Sequence, residues 1–194
     1  MELSELFKIE NKIEPAAGRI IISEPLSRDG FFGRSVIVMT EHNDNGSLGF
    51  ILNKSTGLSV NSFISDCNDE SFPVYVGGPV STNTLHFIHT IGMKLPKSKQ
   101  IKDGLFWGGD FDLLKKLINS GTITPAEVRF FVGYSGWSPS QLQGELDNNS
   151  WLVSEMPTKQ IMTPDEDNLW KNSVIGTSDD YKFWLNIPSN PNWN

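Results

Sequence analysis

The chain is poor in the residues that build the commonest chemical sites. Its 194 residues hold one cysteine, Cys67, and three histidines, His42, His86 and His89. A lone cysteine excludes an intrachain disulfide, so nothing calls for an oxidising compartment. No apolar run approaches the roughly 18 residues of a membrane-spanning helix. The opening MELSELFKIENK mixes acids and bases and lacks the apolar stretch of a secretory leader. A cytoplasmic protein with no membrane contact is therefore expected. Phosphate-binding GxxxxGK[ST], dinucleotide-binding GxGxxG and zinc-knuckle patterns are all missing.

Positive charge is also scarce. Lys and Arg number 16 against 23 Asp and Glu, for a net charge of −7. The imbalance sits late in the chain, where eight acids face two lysines between Glu145 and Asp180. An acidic surface repels phosphate backbones, which argues against direct nucleic-acid binding. One run is opposite in sign: Lys94, Lys97, Lys99 and Lys102 in MKLPKSKQIK, either a solvated loop or a local anion patch.

What is present suits a folded core. Hydrophobic residues make up 38%, and there are six tryptophans. The length fits a single domain over residues 1–194, with a polar Pro- and Asn-rich tail from about 186. Gly18–Ser23 and Ser35–Thr40 read as strands. Asn43-Asp44-Asn45-Gly46 is turn chemistry leading to a third strand at Ser47–Asn53, so a β-hairpin is expected. The run VIVM does not alternate, which implies a strand covered on both faces. Leu58–Ile64 reads as a short helix. Strands follow at Val74–Val76, Leu85–Ile91, Leu105–Trp107 and Val128–Val132. Asp110 caps a helix over Phe111–Asn119, which Gly121 closes. The stops VYV-GGP and LFW-GGD share only an apolar triplet and two glycines, and read as independent turns.

The stretch VGYSGWSPSQL, Val132 to Leu142, raises the main chemical question. A nucleophile elbow needs G-x-S-x-G. Here Gly133-Tyr134-Ser135-Gly136-Trp137 ends on a bulky indole, and every histidine precedes the serine. A second reading is a structural corner: glycines for a tight bend, then a Ser138-Pro139-Ser140-Gln141 capping box starting a helix, with Tyr134, Trp137 and Trp151 buried around it. A third is an anion site at that helix start. His86 and His89 lie three apart in a strand pattern, so they face opposite sides and do not form a metal pair. A Glu41/His42 metal site would need ligands that nothing signals.

Several motifs together resemble the YqgE/AlgH family of bacterial proteins. The matching positions are Gly18, Pro25, Phe32, Arg34, Ser35, Val36, Glu41, His42, Gly46, Gly49 and Asn53, then Gly77 to Val80. Gly133, Tyr134, Gly136, Trp137, Gln141, Leu142, Glu145, Leu146 and Trp151 follow. Thr163-Pro164-Asp165-Glu166, another capping box, resembles the start of the closing helix, with Trp170 matching. Ser140 stands where the family usually has glycine. The resemblance implies an α/β (α+β) fold in one domain, with a branched mixed and antiparallel sheet curled into a pseudo-barrel and a few flanking helices. It implies no catalytic residues; some members carry the label of transcriptional regulator.

The functional expectation is a non-enzymatic protein that binds a protein partner or small ligand, with a regulatory role through it and no cofactor or metal. The candidate binding residues gather at strand ends, where sites form. They are Glu41, His42, Asn53, Gly77, Gly78, Gly133, Tyr134, Ser135, Gly136, Trp137 and Gln141. The alternative is a hydrolase using Ser135 or a Glu41/His42 site.

Overall fold

The computed structural model describes residues 8–27 and 29–188. Among them, ten strands form one sheet: β1 (Ile20–Ser23), β2 (Val36–Asn43), β3 (Gly46–Ile51), β4 (Ser55–Ser59), β5 (Pro73–Val76), β6 (Val80–His89), β7 (Lys99–Lys102), β8 (Leu105–Trp107), β9 (Val128–Trp137) and β10 (Trp151–Ser154). The helices are α1 (Phe111–Asn119), α2 (Gln141–Asp147), α3 (Thr158–Met162) and α4 (Leu169–Thr177), followed by a 3-10 segment at Asp179–Asn186. No helix among the described residues is long and apolar enough to cross a membrane.

The sheet runs β10-β1-β2-β3-β9-β6-β8-β7, and β5, carrying β4, branches from β9. Only β5 with β9 is parallel; the other pairings are antiparallel. β9 is the stem of the branch. Its first half, Phe130–Val132, pairs with β5, and Ser135–Trp137 pairs with β3. The expected branched α/β fold is therefore present.

Alternate residues of the same strands feed separate cores. Ile20, Ile22, Val36, Val38, Phe131 and Leu152 enter a central cluster with Ile161, Trp170, Val174 and Trp184 from the C-terminal helical segments. Ile21, Ile37, Met39 and Val153 face the other way, onto Leu142 and Leu146 of α2. Val128 and Phe130 pack with Leu114 and Ile118 of α1. Strands covered on both faces have no polar side to alternate with, which is why VIVM is apolar throughout.

The sheet is not closed into a barrel, which corrects the expected pseudo-barrel. β10 and β7 end the strand path and do not pair with each other. The free edge of β10 is taken by a side chain: Asn11 donates to the Trp151 carbonyl (3.1 Å) and accepts from the Val153 amide (2.7 Å). β7 is blunted by Lys99, Lys102 and a register shift, features that discourage further pairing. The sheet curls nonetheless. Lys99 of β7 ion-pairs with Glu41 of β2, and the Lys102 ammonium donates to the Met156 carbonyl.

Local expectations fared unevenly. Asp110 caps α1 by accepting from the Leu113 amide (3.0 Å), and the β2–β3 hairpin turns at Asp44-Asn45 as expected. Leu58–Ile64 is the end of β4 followed by a 3-10 turn at Val60–Ser62, since Leu58 and Ser59 pair with β5. Only half of the Ser138 capping box forms. Gln141 Oε1 accepts from the Ser138 amide (3.0 Å), but the Gln141 amide donates to the Ser138 carbonyl rather than its hydroxyl. Pro139-Ser140 make a turn, with Ser140 at φ +63°, so α2 begins at Gln141. The Thr163 cap does not form either: its hydroxyl donates back to Lys159 O (2.9 Å), and α4 starts at Leu169. The expected tail lies mostly outside the described residues; at its start, the Ile187 carbonyl accepts from the Arg34 guanidinium.

Candidate functional site

VGYSGW is not a turn. It is the second half of β9, and its small residues serve the branch. Here β5 gives way to β3 along one edge of β9, so backbones cross at very short range. A Cβ on Gly78 would lie 2.2 Å from the Tyr134 carbonyl carbon, and one on Gly133 would lie 2.5 Å from Gly78 O. Gly133 also adopts φ +66°, which disfavours any side chain. Gly77 joins three strands: its amide donates to Val132 O (2.8 Å), and its carbonyl accepts from the Ile51 amide (3.0 Å) and the Ser135 hydroxyl (3.0 Å). Ser135 is fully buried. Its hydroxyl is thus a fastener within the sheet, donating to a carbonyl instead of to a base.

Beside this joint lies an open cleft of about 540 Å³ between the β2–β3 turn and the end of β9. Glu41, Asn43, Asn45, Ser47 and Leu48 line one side, and Tyr134, Gly136, Trp137, Ser138 and Pro139 the other, with Val80 also at the wall. Four of the sequence-derived candidates, Glu41, Tyr134, Gly136 and Trp137, therefore meet here. Trp137 is buried by its indole: Nε1 donates to Glu145 Oε2 (2.8 Å), which also accepts from Trp151 Nε1 (2.7 Å). Gln141 stands just behind, donating to Glu145 Oε1 (3.1 Å).

The other candidates lie elsewhere. Asn53 clamps the loop before β2, accepting from the Val36 amide (3.0 Å) and donating to Arg34 O (2.9 Å). Gly77, Gly78, Gly133 and Ser135 form the buried joint. Glu41 and His42 are neighbours in a strand, so their side chains diverge. Glu41 meets Lys99, whereas His42 Nδ1 hydrogen-bonds the Ser47 hydroxyl (2.7 Å) across the hairpin.

The remaining histidines sit on opposite faces of β6. His86 packs edge-on against Tyr134, with ring centroids 5.8 Å apart, and shares a hydrogen bond with Thr84 (3.0 Å). Burial lowers its pKa. His89 is fully buried, and Nε2 lies 2.9 Å from the Gly108 carbonyl. A carbonyl only accepts, so Nε2 carries the proton and Nδ1 is left bare and without a partner. Burial pushes the His89 pKa down, outweighing the upward pull of that carbonyl. No group of three or more metal-ligating side chains converges among the described residues.

The basic run disperses rather than forming a patch. Lys97 pairs with Asp110 (4.0 Å), Lys99 with Glu41, and Lys102 with a backbone carbonyl. Sequence reasoning missed three features. Ser47 and the hairpin asparagines line the cleft; their only signal is the turn itself. In the sequence Lys99 reads as one of four like charges, with no sign of its partner Glu41. Arg129 lies inside the apolar VRFFV, where a charge signals a buried role. Its guanidinium donates to Ile161 O (2.7 Å) and Leu52 O (2.9 Å) and stacks 4.1 Å from the Tyr75 ring centre. The Tyr75 hydroxyl donates to Glu166; burial, reinforced by that carboxylate, pushes its pKa up to about 12. This relay ties α3 and the segment before α4 to the branch.

Comparison with known proteins agrees with this architecture. The chain is 44% identical over 189 residues to a UPF0301 protein of Parabacteroides distasonis, covering 96% of each. It is 40% identical over 193 residues to one of Bacteroides thetaiotaomicron, covering 98% of each. Two solved structures share the fold. One is a Corynebacterium diphtheriae protein with TM-score 0.73 and 21% identity, matched over 91% of this chain and 94% of the other. The second is the AlgH protein of Pseudomonas aeruginosa, with TM-score 0.68 and 23% identity over 93% and 99% of the two chains. The AlgH-like family model matches residues 20–182, and the chain belongs to that family.

Proposed function

We propose that this AlgH-like protein is a non-catalytic, cytoplasmic binding protein whose cleft beside the β9 joint takes a protein partner or small ligand. The observation that carries the reading is the division of labour along β9. Ser135, the residue that most invites a catalytic role, is buried with its hydroxyl committed to Gly77 O. Its neighbours Tyr134 and Gly136 line an open cleft. A regulatory role would then act through the bound partner, since the chain's net charge of −7 opposes direct contact with nucleic acid. Bulky charged substitutions at the rim, Asn45→Arg with Ser138→Arg, test this. A partner recovered with wild-type protein and confirmed with purified components should bind at least about tenfold more weakly to this variant, a loss near 1.4 kcal/mol. It should be unaffected by Leu58→Arg on β4, outside the cleft. Equal binding to all three proteins would contradict the placement.

A hydrolase keeps one observation in its favour, the His42 to Ser47 hydrogen bond at the cleft wall. It expects labelling of Ser47 by an activated phosphonate. The binding reading expects no adduct at Ser47 or Ser135.

A further inference from the structure

We propose that the Glu41 carboxylate and the aromatic rings beside it form a receptor for an alkylammonium group, and that Lys99 occupies this receptor from within. The inference deepens the binding reading and rests on it. Glu41 stands where the cleft meets a row of rings. Tyr134, also in the cleft wall, lies edge-on to His86, and His86 lies 6.5 Å from Trp107 between ring centres. The Lys99 ammonium bonds the Glu41 carboxylate and sits 5.9 Å above the centre of the Trp107 ring. A carboxylate joined to the face of an indole is a composite that favours ammonium groups, through charge and through the ring quadrupole. The protein thus already holds an ammonium there, supplied by its own outermost strand.

Two further observations make Lys99 a replaceable occupant. Its side chain is 57% exposed against 32% for Glu41, so the acceptor is held in place while the cation stays largely in water. An ion pair that open is weak and screened by salt. The described lining of the cleft contains no lysine or arginine, whereas Glu41, Asn43, Asn45, Ser47 and Ser138 supply acceptors. Lys99 is thus the cation an incoming ammonium would displace, and the described cleft lining itself offers an anion no positive charge. The same chemistry is offered by a lysine side chain on another protein or by a free aliphatic amine.

Replacement of Lys99 by methionine keeps an apolar stem over Trp107 and removes the charge. If Lys99 fills the receptor about nine-tenths of the time, its removal raises the apparent affinity for an external ammonium about tenfold. The experiment is an NMR titration of full-length wild-type, Lys99→Met and Lys99→Met/Glu41→Gln proteins with n-butylammonium, with n-butanol as the uncharged control. Saturating shifts at Tyr134 and the Trp107 indole are expected. They should be about tenfold tighter in Lys99→Met and lost in the double variant. Parallel titrations with acetyl-Gly-Lys-Gly-amide and with spermidine separate the two sources, the tighter one identifying the natural ligand's class. Equal response to n-butanol would refute ammonium recognition while leaving the cleft a binding site. No saturating shift in Lys99→Met, or no loss with Glu41→Gln, would overturn the receptor itself.

Discussion

Gly133→Ala places a methyl group 2.5 Å from the Gly78 carbonyl oxygen and 2.9 Å from that of Val80, at a φ of +66°. Backbone cannot yield as a flexible side chain can, so the strands must part. The expected loss is about 2–4 kcal/mol in urea unfolding, combining overpacking with left-handed strain. A change below about 0.5 kcal/mol would mean the crossing is loose. His89 gives a residue-level dependence on pH. Its folded pKa is lowered by burial, so above the ordinary value of about 6.5 the neutral ring costs nothing extra. As pH falls below that value the unfolded chain takes up the proton first, and stability declines until the lowered folded pKa is passed. His86 shifts in the same direction. Unfolding free energies between pH 7 and 5 should therefore fall in the wild type and fall less in His89→Gln. Equal slopes would show that the imidazole is not held neutral.

At the level of elements, α2 is held on the sheet by Glu145, whose single oxygen Oε2 accepts from the indoles of Trp137 and Trp151. Both indoles are buried. Glu145→Ala leaves two buried N–H donors without an acceptor and should cost about 2–3 kcal/mol. Glu145→Gln keeps one acceptor oxygen and should recover part of that in thermal melts; no difference between the two would mean the indoles find other acceptors. Elements built from local chemistry were legible in the sequence: the Asp110 cap, the NDNG hairpin and the doubly covered VIVM strand. Those decided by distant contacts were not. Thr163 has the residue type of a cap, yet the preceding helix offers its hydroxyl a nearer carbonyl at Lys159. Ser138 loses its expected role because Ser140 takes the left-handed turn that places the start of α2.

Across the whole molecule, the design depends on one strand serving two sheets' worth of partners. VGYSGW reads locally as a bend because it is rich in small residues. Its true cause lies 58 residues earlier in the chain, at Gly77, which Ser135 bonds. No local signal carries that pairing, so the branch could be expected only from resemblance and its joint only from coordinates. The same distance hid the Glu41 and Lys99 contact, also separated by 58 residues, and with it half of the candidate site. The cleft was partly legible because Glu41, Tyr134 and Trp137 stand out as polar or aromatic residues at strand ends. Equilibrium urea unfolding of Ser135→Ala tests the joint most directly. Loss of the hydroxyl's bond to Gly77 O should lower stability by about 1 kcal/mol, because that carbonyl keeps its second donor at Ile51. A variant as stable as the wild type would show that Ser135 does not fasten the branch.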